Sequence, residues 1–197
     1  ICRDLCITGV FIGRESSDEN VLHKMGRRLL NDTRTQNQLD SSFEGILHFI
    51  YESKEYIDIK LSYILSPFDS NISIRNTLTE INYILKELPS NSIVMNILCP
   101  YFGTKTRLEY KDILYFADIP HFINGKTILW KSDYNPGAFN LMCEFLKRKH
   151  DPESFFKDSL EISKICFTNS AIHNQPVTVM KTLKNIKEVI YDGTDKT

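Results

Sequence analysis

The stretch Ile57-Asp58-Ile59-Lys60-Leu61-Ser62-Tyr63-Ile64-Leu65 decides the fold class. Ile57, Ile59, Leu61, Tyr63 and Leu65 alternate with Asp58, Lys60 and Ser62. A period of two sends successive side chains to opposite faces, so the stretch reads as a strand. Pro67 ends it. Ile74, Leu78, Ile81, Leu85 and Leu88 then recur at spacings of four, three, four and three, which is one face of an amphipathic helix. Pro89 stops that helix, and the compact apolar run of residues 92–98 reads as the next strand. Strand, helix, strand is the unit of a parallel sheet, joined by right-handed crossovers.

Working outward, residues 7–12 form a short apolar run closed by Gly13 and read as a first strand. Asp18 or Asn20 can cap a helix through residue 30, with Val21, Met25, Leu29 and Leu30 on one side. Residues 31–42 are polar and read as a loop, and residues 46–51 as a strand. Further along, residues 109–119 read as a helix ended by Pro120, and residues 127–130 as a strand. Asn135 followed by Pro136 is a helix start: a capping side chain, then a proline where no N–H is needed. Ala138, Leu141, Met142, Phe145 and Leu146 make that helix's apolar stripe. After Asp151-Pro152 the strands cease. Residues 154–167, 176–183 and 185–191 read as helices, a tail too small to hold a core of its own. The expectation is an α/β protein: a nuclease-like domain over residues 1–150 with a central, mostly parallel sheet flanked by helices, then a short helical tail over residues 151–197.

The chain has 197 residues, 42% hydrophobic and 25% charged, with a net charge of −1. That is an ordinary globular composition. Residues 1–130 hold 14 Lys+Arg against 16 Asp+Glu and residues 131–197 hold 10 against 9, so neither part is a basic domain and any contact with nucleic acid must use local patches or a partner's charge. The five cysteines, Cys2, Cys6, Cys99, Cys143 and Cys166, lack the spacing of a disulfide framework. No apolar run is long enough to span a bilayer and no signal peptide is visible, so a reducing compartment, cytosol or nucleus, is expected.

The tests for chemistry come back incomplete. Gly9-Val-Phe-Ile-Gly13 follows the pattern of a strand but lacks the glycine-rich turn and the lysine that cradle phosphates. There is no G-x-S-x-G elbow. Cys2 and Cys6 have no second pair to complete a zinc site, and the five histidines are scattered. Asp58 and Lys60 are the best catalytic pair: two apart on one strand, they share a face, as do the acid and lysine of metal-dependent nucleases. Glu52 or Glu55 would be the upstream acid. A metal site needs more converging acids than this, and a solvated strand face accounts for the pair equally well. No cofactor, metal or small-molecule substrate is expected. The basic clusters are Lys24/Arg27/Arg28, Lys147/Arg148/Lys149 and Lys181/Lys184/Lys187. Solvated helix faces account for them; the alternative is contact with phosphates, and the last cluster is the best candidate because short helices expose free N–H groups.

The ordered series Thr127-Ile-Leu-Trp130, Asn135-Pro-Gly-Ala-Phe-Asn-Leu-Met-Cys-Glu-Phe-Leu146, then a linker and a helical tail resembles the XPF family of structure-selective endonucleases. The tail segments Ile162-Ser-Lys-Ile-Cys166, Pro176-Val177, Met180-Lys-Thr-Leu183 and Asn185-Ile-Lys-Glu-Val189 look like the first helix-hairpin-helix of the family's small, non-catalytic subunits. The resemblance covers about residues 45–191. Catalytic members carry Glu-Arg-Lys on the strand that here holds Asp58 and Lys60; that triplet is absent. Residues 169–175 also lack the glycine with which family hairpins approach phosphates.

What the resemblance implies is a non-enzymatic subunit in a heterodimer with an XPF-like Zip subunit, in a complex with a further repeat-protein subunit. It implies binding of branched DNA in the nucleus, on meiotic chromosomes. DNA contacts would fall to Lys147, Arg148, Lys149, Lys181, Lys184 and Lys187. The partner interface would take Leu141, Met142, Phe145, Phe155, Phe156, Ile165, Val177 and Met180, several of which serve an internal core equally well. The alternatives are a metal-dependent, structure-selective nuclease using Asp58 and Lys60, and a protein scaffold without DNA contact.

Overall fold

The computed structural model describes residues 6–26, 36–99, 103–114, 130–131, 133–148 and 150–169. Three strands, β1 (Gly9–Glu15), β2 (Asp58–Leu65) and β3 (Ile93–Ile97), form a parallel sheet in the order β1-β2-β3. The decisive stretch is thus the central strand. Val10 lies beside Ile59 and Ile12 beside Leu61, while Tyr63 lies beside Met95. The α/β class and the parallel sheet are as the sequence leads one to expect.

The odd residues of β2, Ile59 to Leu65, join Ile93 and Met95 in a first core. Helix α3 (Asn71–Ile84) closes it with Ile74, Leu78, Ile81 and Ile84, all fully buried. Ser70 caps α3 by a reciprocal bond with Ser73. Ile64, on the other face of β2, belongs to a second core with Phe68, Leu98, Leu114 and Trp130. That core is covered by α1 (Glu19–Lys24) through Val21 and Leu22, and by α5 (Pro136–Lys147) through Phe139, Met142 and Cys143. Asp58 and Lys60 sit at the start of the strand, on the face turned away from the first core and before the second begins, so only there does the polar half of the alternation meet water.

Residues 46–51 are helical, not a strand. They lie in α2 (Gln36–Ser53), which also takes in most of the expected polar loop. Phe43, Ile46, Leu47 and Ile50 stand at helical spacing, and a short apolar run read without its flanks does not distinguish the two structures. Helix α1 stops at Lys24, and Gly26 takes φ +69° just beyond, a left-handed stop suited to glycine. Residues 27–30 of the expected helix lie outside the described residues. The helix expected over residues 109–119 is replaced in its described part. A short helix α4 (Lys105–Glu109), capped by Thr104, gives way to a 3-10 turn and to Leu114, which bridges Trp130 antiparallel. Residues 115–129 are outside the described set.

Helix α5 starts as its sequence requires: the Asn135 side chain accepts from the Ala138 N–H, and Pro136 occupies the first turn. Helix α6 (Pro152–Asn169) runs back along α5 and packs on α3. Phe155, Phe156, Ile162 and Cys166 all enter the first core. Residues 152–169 of the expected tail therefore complete the core of the preceding residues. The helices expected over 176–183 and 185–191 lie outside the described residues. No helix among the described residues is long and apolar enough to cross a membrane.

Candidate functional site

The face of the sheet at the start of β2 holds the paired charges. Lys60 Nζ lies 3.4 Å from Asp58 Oδ1 and donates to the Asn91 carbonyl at 3.0 Å. The lysine is thereby tied to its own acid and to the turn before β3. Glu52, on α2, pairs with His48 at 3.5 Å, and Glu55 is exposed on the turn that follows. Among the described residues, no three His, Cys, Asp or Glu side chains gather where a metal ion would be held. Phe11 neighbours Lys60 across the sheet, 64% exposed, with Gly9 and Gly13 on either side of it along the same face. Buried Ser62 accepts from Asn96 Nδ2 at 3.1 Å. This face offers an ion pair, an amide and an open phenyl ring: groups for contact.

The basic candidates are partly committed within the chain. Lys147 pairs with Glu144 at 2.6 Å. Arg148 donates to the Ser154 carbonyl and to Asp158, each at 3.3 Å, tying the end of α5 to the start of α6. Lys149, Lys181, Lys184 and Lys187 lie outside the described residues.

Of the apolar candidates, Leu141, Met142, Phe155 and Phe156 are fully buried inside this chain. Phe145 is half-buried and meets Phe155 edge to face at 5.2 Å. The apolar stripes of α5 and α6 face each other because the turn at Arg148–Asp151 folds one helix back on the other. Ile165, 56% exposed, stands on the surface. Val177 and Met180 are outside the described residues.

Two buried polar clusters carry no strong mark in the sequence. At the carboxyl end of β2, Asp69 accepts from the Ser66 N–H (2.8 Å), the Ser66 hydroxyl (3.0 Å) and the Ser73 hydroxyl (3.2 Å). Burial pushes its carboxyl up to about 6, against those hydrogen bonds, which pull it down; nearby Asp18 adds to the rise. Asn135 Nδ2 reaches the carbonyls of Pro67 and Asp69, so the same turn anchors the start of α5. Ser-Pro-Phe-Asp-Ser marks a turn in the sequence, but nothing there marks its carboxylate as buried. Two turns further along α3, Arg14 of β1 grips Glu80 with two bonds, of 2.7 and 3.1 Å, and the Tyr63 hydroxyl lies 3.5 Å from the same carboxylate. Burial, then the Glu80 charge, raises the Tyr63 phenol above its ordinary range. Both clusters find their partners inside the chain and join elements; neither aims a group outward.

Fold and surface together describe a small parallel α/β protein whose central strand carries the Asp58–Lys60 pair at its amino-terminal half, beside the exposed Phe11 ring. No family model matches the chain, and neither a curated protein nor a solved structure does. The XPF likeness rests on the sequence pattern alone.

Proposed function

We propose that the chain is the non-catalytic subunit of a heterodimeric XPF-like complex. It would be a counterpart of the meiotic sporulation protein that pairs with the XPF-like Zip subunit in the synapsis initiation complex. In this reading it acts in the nucleus, on meiotic chromosomes. The heterodimer binds branched recombination intermediates and promotes crossover formation and synaptonemal complex assembly. The observation that carries the reading is the state of the central strand. Where catalytic relatives hold Glu-Arg-Lys, β2 holds Asp58 and Lys60, turned onto each other and onto a backbone carbonyl. A strand position kept without its triplet fits a subunit specialised for pairing. Ile165 is the described interface candidate open to a partner, and the remaining contacts fall to residues 170–197, with Lys181, Lys184 and Lys187 as the phosphate-facing group.

Cleavage and binding of branched DNA by the complex separate this reading from its rivals. With Mg²⁺ or Mn²⁺ present, Asp58→Ala leaves any cleavage unchanged, and alanine at Lys181, Lys184 and Lys187 weakens binding and flattens its salt dependence. Metal-dependent cleavage lost in Asp58→Ala would make the chain a nuclease. Binding indifferent to the three lysines would make it a scaffold.

A further inference from the structure

Helix α2 is attached to the protein differently from α3, α5 and α6. Of its described apolar residues only Ile50 is fully buried; Phe43, Ile46, Leu47 and Phe49 are half-covered. Gly45 stands mid-helix in open space, with nothing within 4 Å of where a Cβ would be. No packing reason requires a glycine there, and it weakens the helix. The first turn has no acid to complement the helix dipole.

Two charged contacts tie α2 to its neighbours. Toward its middle, the Phe43 ring lies 5.5 Å from the Arg14 guanidinium, which Glu80 of α3 holds. Directly after its end, Lys54 pairs with Glu87 at 2.6 Å and lies 5.7 Å from the Tyr51 ring. The two glutamates are seven residues apart, one on α3 and one in the turn that follows it. Between them Ile46, Leu47 and Phe49 lie only half-covered against the first core, and Ile50 alone is fully buried in it. The Arg14 contact puts α2 on the β1 side of the first core, where Val10 and Ile12 are also only half-buried.

We propose that α2 is a releasable strap: it opens as one unit while the sheet, α3 and α6 stay folded, and its opening bares the β1 side of the first core. Elements with sparse apolar contact are the ones that open below the global unfolding free energy.

Hydrogen exchange of the full chain, read by mass spectrometry over α2, β2 and α3, tests this. Amides of residues 40–53 should exchange about tenfold or more faster than those of β2 and α3, as a separately opening unit does. Gly45→Ala should slow exchange along the whole of α2 by about fivefold, the helix-propensity difference, and leave β2 and α3 unchanged. Glu87→Gln should speed α2 alone. Equal protection of α2 and α3 would overturn the strap, as would slowing confined to the amides beside position 45, or a common shift in all three elements.

Discussion

Asp69 is a carboxylate buried at the joint between β2, α3 and α5, and its titration should be visible in the stability of the whole protein. Its folded value of about 6 lies above the ordinary 3.8, so the folded state binds its proton more tightly than the unfolded chain does. The stability this group contributes is complete below the unfolded value and is lost as pH rises through the folded one. The difference of roughly two units corresponds to ~3 kcal/mol. Urea titrations followed by the single, fully buried Trp130 should therefore show wild type gaining on Asp69→Asn as pH falls from 7.5 to 5. Parallel pH profiles would show that Asp69 does not titrate in this window. Arg14 and Glu80 make the opposite case, an ion pair largely removed from water on both sides. Such a pair adds little net stability, since two desolvated charges offset their attraction. Its visible effect is to tie the end of β1 to α3.

At the scale of the element, the closest approach is between α5 and α6. A Cβ at Gly137 would collide with the Phe167 ring. Alanine is a better helix former than glycine, yet Gly137→Ala should destabilise the protein by about 1–3 kcal/mol through overpacking. Adding Phe167→Leu should recover part of the loss; denaturation midpoints of the two variants measure both effects. This is also the scale at which the sequence was most and least legible. Asn135-Pro136 and the Ile74–Leu78–Ile81 spacing identified α5 and α3 because cap and period agree within one segment. The β2 alternation was legible for a different reason: its polar half reaches water at exposed Asp58 and half-buried Lys60, while Ser62 is buried like its neighbours. The α2 reading failed because an apolar run of six residues carries no period of its own. For the candidate interface, periodicity placed Leu141, Met142, Phe155 and Phe156 on apolar stripes. It could not say that the two stripes face each other, which depends on the turn through Arg148.

At the scale of the molecule, the described sheet has three strands, and β1 and β3 each have one side without a strand partner among the described residues. Phe11, Leu108 and Ile165 add exposed apolar side chains. Open strand edges and uncovered apolar groups favour association. The central claim is that the chain is half of a heterodimer, and co-expression with an XPF-like partner followed by size-exclusion chromatography with light scattering tests it most directly. The account predicts that the chain self-associates or aggregates when made alone and elutes with the partner as a one-to-one complex. A stable monomer that elutes apart from the partner would contradict it.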